Sequence, residues 1–247
     1  KATGMRFVHN SQYGFYDPAE TPEHGHNVGT IKHLSLTATI TINAPSQPDI
    51  IKKLLYNEIH DLADVPITSF GNFTKGMLNG QWLGLTDDPN VLTNWLKQKR
   101  ISGEIEKQVS IAYNMNKKEI NINTDAGRLS RPLLRVVNNE LLLTKEMLLD
   151  IDFKKLDKPE QVHTWLEFLM KYPETIDFVD PEEQETLMIA HWQNDLLDNK
   201  NKMNTVVKNP EQMGSLDNRY DENVYRRYTH CEIHPSTLIG HILANAK

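Results

Sequence analysis

The sequence predicts an α+β fold: mixed segments with antiparallel sheets and short helices. Three observations lead there. Apolar residues alternate at period two in several short runs and recur at helical spacing in others, and Gly, Pro, Asn and Asp punctuate the junctions. No unit recurs at a period of about 20 to 50 residues, which sets solenoids aside. At 247 residues, 38% hydrophobic and 24% charged, the chain has the composition of a globular protein long enough to bury a core.

Residues 1 to 29 are Gly/Pro-punctuated loop with short apolar pieces. In TIKHLSLTATITIN, Leu34, Leu36, Ala38, Ile40 and Ile42 alternate, which predicts a strand with that face buried. Ser46 stands as an N-cap before Pro48 and Asp49, and Ile51, Leu54, Leu55, Ile59 and Leu62 follow at helical spacing, predicting a helix over 48 to 63. A hairpin is predicted on the turn dipeptide Asn79-Gly80, with Leu78 ending one strand and Trp82, Leu83 and Leu85 in the next. Asp88 then caps a second helix with Pro89 at its first position and Val91, Leu92, Trp95 and Leu96 on its inner face. Val109, Ile111 and Tyr113 alternate against Ile120 and Ile122 as an antiparallel pair, PLLRVV continues that sheet, and Asn138-Asn139 marks a change of character.

Helical spacing returns in QVHTWLEFLMKY, where Val162, Trp165, Leu166 and Leu169 form one stripe. TIDFVDPEEQETLMIAHW supports two readings, a helix starting at Asp180, Pro181 and Glu183, or two short strands carrying Ile176/Phe178 and Leu187/Ile189. Residues 193 to 224 lose apolar density and read as a mobile loop or poorly ordered insertion. A compact pattern resumes at YRRYTHCEIHPSTLIGHILA.

The net charge of −6 argues against autonomous nucleic-acid binding through a basic face. A lone cysteine, Cys231, excludes an internal disulfide framework and fits a reducing compartment. No apolar run reaches the roughly 18 to 20 residues of a membrane span, and the start lacks the features of a signal peptide, so the chain reads as soluble and intracellular. It begins on Lys1 and reads as a fragment of a longer chain. His230, Cys231 and His234 make HCxxH, but zinc needs four ligands or three plus water, and the remaining candidates, His24 and His26, lack matching spacing. The segment is read as buried and hydrogen-bonded, with Glu232 and the histidines satisfying one another. Glu20 and Glu23 qualify as an acid/base pair, yet no recognisable nucleophile or oxyanion set accompanies them. Pro18, Pro22, Gly25 and Gly29 make a stiffened loop the more economical reading. TDAGRLSRPL is read as a surface turn with an Asp/Arg pair worth at most about 1 kcal/mol.

Several blocks, in order, resemble the second-largest, β-type subunit of multisubunit DNA-directed RNA polymerases: VHNSQYGFYDPAETPE, VGTIKHLSLTATI, LNGQWLGLTDDPNVL, VSIAYNMNKKEININTDAGRLSRPLL, TIDFVDPEEQETLMIA and YTHCEIHPSTLIG. PAETPE and HCEIHPS are closer to the eukaryotic, archaeal and large-DNA-virus versions, and the Asn- and Lys-rich composition suggests a giant-virus-like source. The resemblance implies a fork segment and core strand at 1–43, a first external domain at 44–137, a second at 138–195, a polar loop at 196–223 and a return to the hybrid-binding core at 224–247. It implies that Arg6, His9, Glu20 and Glu23 lie near the active centre, with Arg6 and His9 also near nucleic acid. TPEHGHNVG carries one residue more than the family's TPEG-type pattern, at or beside His24.

The resemblance further implies Mg²⁺ held by the largest subunit and no catalytic or metal-binding residue in this chain. Its implied partners are the largest subunit, other polymerase subunits, template DNA and RNA, and no membrane. The implied location is the nucleus or cytoplasm, or a virion or virus factory for a viral protein. The rival reading is an independent α+β protein-interaction module without polymerase activity.

Overall fold

The computed structural model describes residues 3–22, 25–149, 151, 164–208, 226–241 and 245. Its first elements are β1 (Thr39–Ile40), α1 (Gln47–Leu55), β2 (Thr74–Leu78), β3 (Gln81–Thr86), α2 (Pro89–Ser102), β4 (Ser110–Asn114), β5 (Glu119–Asn123) and β6 (Leu129–Val137). After these come β7 (Glu140–Leu141), α3 (Lys145–Leu149), α4 (Trp165–Lys171), β8 (Ile176–Val179), α5 (Pro181–Gln184), β9 (Ile189–Ala190), α6 (Gln193–Lys208) and β10 (His230–Cys231). Helices and mixed sheets in this order are an α+β fold, as the alternating and helical spacings predict. No helix among the described residues is long and apolar enough to cross a membrane. The chain forms two compact units. One comprises Lys1–Pro132, Phe178–Thr186 and Thr237–Lys247, and the other Leu133–Asp177 and Leu187–Ser236.

The first unit is built on a four-stranded sheet in the order β3-β2-β5-β4. Asn79 and Gly80 both adopt left-handed φ, 49° and 77°, which gives the twist that a two-residue hairpin between β2 and β3 requires. Ile111 faces Ile122 and Tyr113 faces Ile120 across β4 and β5, the predicted pairing. Ile51, Leu55, Leu92, Leu96, Ile111 and Ile120 close the core over this sheet. Each of these burials stabilises by about 1.5–3 kcal/mol, so α1 and α2 are held by packing more than by helix propensity.

Helix α1 stops at Leu55, well short of the predicted 63. Leu85 in β3 is fully buried, and its backbone groups need partners. His60 supplies both, its N–H donating to Leu85 O at 2.8 Å and its carbonyl accepting from Leu85 N at 3.0 Å. Gly84 permits this approach, since a Cβ there would lie 2.6 Å from His60 O. On α2 the inner face is Leu92, Leu96 and Arg100, whereas the predicted Val91 is 68% exposed.

The predicted strand over 34–42 is reduced to β1, paired with Leu129 and Ser130 of β6. The predicted buried face is not realised: Ser35 and Thr41 are buried, while Leu36, Ile40 and Ile42 are exposed and both residues of β1 face outward. The polar side chains set this register. Ser35 Oγ donates to Gly14 O at 2.6 Å, and Thr41 Oγ1 accepts from Arg128 N at 3.0 Å. PLLRVV likewise leaves the four-stranded sheet, because β6 pairs with β1 and β10 instead.

The second unit is organised by the latter half of β6. Its Leu134 and Arg135 face Cys231 and His230 of antiparallel β10, and β9 runs parallel to β10. Asn138 and Asn139, at φ 53° and 62°, turn β6 into β7, so the change of character noted in sequence is a hairpin. Both readings of residues 176–192 are realised: strands β8 and β9 flank α5, whose cap Asp180 accepts from Glu183 N at 2.8 Å. On α4 the buried residues are Phe168 and Leu169, while Trp165 and Leu166 are exposed; Val162 lies outside the described residues. Residues 193–208, expected to be loop, form α6 instead. Asp195 accepts from Trp192 N at 2.9 Å at the start of α6, and Leu196 is buried. Further along, Asn199 Nδ2 donates to Asn139 Oδ1 at 2.7 Å. These tertiary anchors outweigh the low apolar content.

Candidate functional site

The segment YGFYDPAETPEHGHNVG lies in the first unit and is shaped by its glycines and one buried arginine. Gly14 sits at φ 85°, and a Cβ there would fall within 2.6 Å of Arg131 Nη1. The Arg131 guanidinium lies against the rings of Tyr13 and Phe15, with centroids at 5.9 and 5.7 Å. Its Nε donates to Gln184 Oε1 at 2.8 Å, and Gln184 Nε2 in turn donates to Tyr13 O at 3.0 Å. Tyr13-Gly14-Phe15 is therefore a clamp around a buried cation. Arg131 and Arg128 are not surface-turn residues: Arg131 is 1% exposed, and Arg128 reaches Asp180 Oδ2 at 3.2 Å and Gln108 O at 2.8 Å. Arg128 meets Asp125 through the backbone carbonyl, which replaces the expected side-chain pair.

Arg6 folds back over the far end of the same loop, donating through Nη1 to the carbonyls of His26, at 2.9 Å, and Val28. Gly29 lies beneath it at φ 75°, where a Cβ would stand 2.7 Å from Arg6 O. Thr21 Oγ1 accepts from Gly29 N at 2.8 Å and closes the loop from within. His9 is an exposed N-cap whose Nδ1 faces Ser11 Oγ at 2.8 Å and accepts from Ser11 N at 3.2 Å. Its own N–H donates to Gln12 Oε1 at 3.1 Å. Glu23 and His24 lie outside the described residues, and with them the one-residue departure from the TPEG-type pattern.

Glu20 places Oε1 4.0 Å from His33 Nε2, with the carboxylate side chain 10% exposed. Its Oε2 is buried without a hydrogen-bond partner among the described residues. Asp17, which sequence reasoning passed over, is more heavily engaged: Oδ1 accepts from Ala19 N at 2.8 Å and Oδ2 from Gly240 N at 2.6 Å. Among the described residues no hydrogen bond or ion pair links Arg6, His9 and Glu20 to one another. Arg6 and Thr21 hold the loop by one end and Asp17 by the other. Asp17 carried a signal as the residue before Pro18, a common turn position. Arg131 and Gly240 carried none.

In the second unit His230, Cys231 and Glu232 are buried, whereas Ile233 and His234 are exposed, so the expected burial covers only the first part of HCEIH. His230 Nε2 stands 3.6 Å from Asp177 Oδ2, and His234 Nδ1 faces Ser236 Oγ at 2.6 Å. Burial, aided by the Glu232 and Asp195 carboxylates, pushes the Cys231 thiol up to about 11, where it is a poor nucleophile and metal ligand at neutral pH. Among the described residues no three His, Cys, Asp or Glu side chains converge to hold a metal ion.

Three family descriptions match the chain in order: RNA polymerase Rpb2 domain 3 over residues 1–40, domain 4 over 77–137 and domain 5 over 165–235. DNA-directed RNA polymerase subunit 2 of Acanthamoeba polyphaga mimivirus is 38% identical over 99% of this chain and 20% of its own length. DNA-directed RNA polymerase II subunit RPB2 of Encephalitozoon cuniculi is 36% identical over 97% of this chain and 18% of its own. The archaeal subunit Rpo2 of Saccharolobus solfataricus is 30% identical over 77% and 17%. The chain thus spans about a fifth of the length of the curated relatives it matches. Successive domain matches with relatives in a virus, a eukaryote and an archaeon establish that this chain belongs to the Rpb2 family, the second subunits of DNA-directed RNA polymerases.

Proposed function

We propose that this chain works as part of a DNA-directed RNA polymerase, its loop from Arg6 to Gly29 shaping the active-centre floor beside the RNA–DNA hybrid. The observation that carries the reading is the ordered match to Rpb2 domains 3, 4 and 5. The assembled enzyme supplies metal-assisted nucleotidyl transfer, with Mg²⁺ on the largest subunit. This chain positions; it does not attack. In this reading Arg6, His9, Glu20 and Glu23 lie near the active centre, with Arg6 and His9 toward nucleic acid. Residues 44–137 and 138–195 act as external domains that support assembly, residues 196–223 link them onward, and 224–247 return to the hybrid-binding core.

The bonding of Arg6 supports a supporting role for its guanidinium: Nη1 is committed to two loop carbonyls. The acidic balance of residues 138–195, 14 Asp and Glu against 5 Lys and Arg, fits an external domain that meets solvent and protein rather than phosphate. Relatives named as polymerase subunits disfavour the independent interaction module. Affinity purification of a tagged chain from its source tests the proposal. Recovery of the largest subunit together with template-dependent RNA synthesis is expected, and a preparation lacking both overturns it.

A further inference from the structure

Three backbone segments meet at Gly240. Asp17 N–H donates to His33 O at 2.9 Å, Ser35 N–H to Phe15 O at 2.9 Å, and Leu36 N–H to Ile239 O at 2.8 Å. Ser35 and Gly240 form an antiparallel bridge, so residues 15–17, 33–36 and 239–240 lie side by side. Asp17 is 4% exposed and fastens two of these strips at once, accepting from Ala19 N within its own turn and from Gly240 N across 223 residues of sequence. Gly240 is buried, and the place of its missing side chain is taken. A Cβ would meet Glu20 Oε2, stand 2.8 Å from Asp17 Oδ2 and 3.3 Å from Leu34 O. Glycine is required here for space, with two carboxylates filling what any other residue would claim.

We infer that Asp17 and Gly240 are positioning residues for nucleotide addition, pinning the Pro18–Thr21 turn at the active centre. The inference rests on the placement of the loop proposed above. The turn enters the loop through Pro18, whose ring restricts φ, and leaves it through Thr21, which holds Gly29. A buried aspartate accepting two backbone N–H groups ties the turn to the strip at Gly240, and an asparagine cannot, since its amide has one acceptor oxygen and turns N–H groups toward the second donor. Misplacement on the order of 1 Å near a reacting centre costs up to about a hundredfold in rate.

The test is nucleotide addition by polymerase purified with the chain in place, comparing Asp17→Asn, Asp17→Ala and Gly240→Ala with the unsubstituted chain. Each variant is expected to raise the nucleotide KM by about tenfold at a smaller change in kcat, with more misincorporation, in the enzyme that does assemble. A merely structural role lowers the yield of assembled enzyme and leaves KM and misincorporation untouched, and that result overturns the inference. Asp17→Asn adds no bulk, so it carries the test where Gly240→Ala fails to assemble. If the unsubstituted chain recovers no polymerase, the functional reading falls and this inference falls with it. If polymerase is recovered and the Asp17→Asn enzyme has unchanged kinetics, the inference alone falls.

Discussion

Arg100 and Glu183 meet along two hydrogen bonds, Nη1 to Oε2 at 2.8 Å and Nη2 to Oε1 at 2.9 Å, with both side chains 1% exposed. Lys97 Nζ adds a contact to Oε1 at 3.0 Å, and Ile111 N–H donates to Oε2 at 3.4 Å. The carboxylate thus joins α2, α5 and the outer edge of β4, a sheet edge otherwise open to pairing. Glu183→Ala strands two cations and is expected to destabilise the first unit by about 3–5 kcal/mol. The double replacement Arg100→Met with Glu183→Leu recovers most of that loss, because the fully buried Arg100 charge leaves with its partner, while Lys97, 23% exposed, keeps access to solvent. Urea unfolding across the double-mutant cycle measures both, and additive losses contradict the pairing.

Two glycines with similar backbone angles separate strain from space. Gly80 at φ 77° has nothing within 4 Å of a would-be Cβ, so Gly80→Ala costs the left-handed conformation alone, about 1–2 kcal/mol. Gly14 at φ 85° meets the buried Arg131 guanidinium as well. Gly14→Ala is therefore expected to cost more than Gly80→Ala, through loss of the Tyr13–Arg131–Phe15 stack. Equal unfolding midpoints for the two variants contradict the clamp.

Cys231 provides a pH test. Its thiol stands at about 11 in the fold against an ordinary 9.0, so the unfolded chain releases that proton first as pH rises. The associated stability is whole below about pH 9 and is lost as pH climbs through about 11. Alkylation by iodoacetamide at pH 8 is expected to be slow in the native chain and fast in guanidinium. Rapid native labelling refutes the buried placement.

The purified chain, at net charge −6, is expected to show no saturable duplex-DNA binding tighter than about 1 μM at 150 mM salt. Fluorescence anisotropy measures this. Submicromolar binding that resists salt contradicts the assignment of the external domains to solvent and protein.

Glu23→Ala in the assembled polymerase is expected to change elongation rate or fidelity while leaving subunit recovery intact. Transcript elongation with each nucleotide in turn reports it. Wild-type elongation and fidelity count against the placement of Glu23 beside the nucleotide path.

Signals carried by adjacent residues were legible in the sequence. Asn79-Gly80 specified its hairpin, Asp88-Pro89 began α2, and the alternation of Ile111 and Tyr113 against Ile120 and Ile122 announced an antiparallel pair. Where polar residues decide the packing, periodicity misled. Ser35 and Thr41 are buried where Leu36, Ile40 and Ile42 were expected to be, and on α2 Arg100 is buried while Val91 is exposed. Apolar spacing cannot register a hydrogen-bond partner that lies 83 residues away, as Glu183 does from Arg100. Residues 193–208 were missed for a related reason: their helix is anchored by Asn199 to Asn139 and to Arg226 O.

The same division holds within the candidate site. Its prolines, its carboxylates and its likeness to polymerase second subunits are properties of the sequence itself. So are the α+β class and the acidic charge, because each follows from residue type and short-range spacing. Tertiary structure decided which carboxylate does the fastening. Glu20 and Glu23 drew notice as a pair, yet Asp17 is the one that bonds Gly240, since the chain returns after 223 residues to bring that amide within 2.6 Å. A buried N–H must find an acceptor, and which acceptor it finds is settled by the path of the folded backbone.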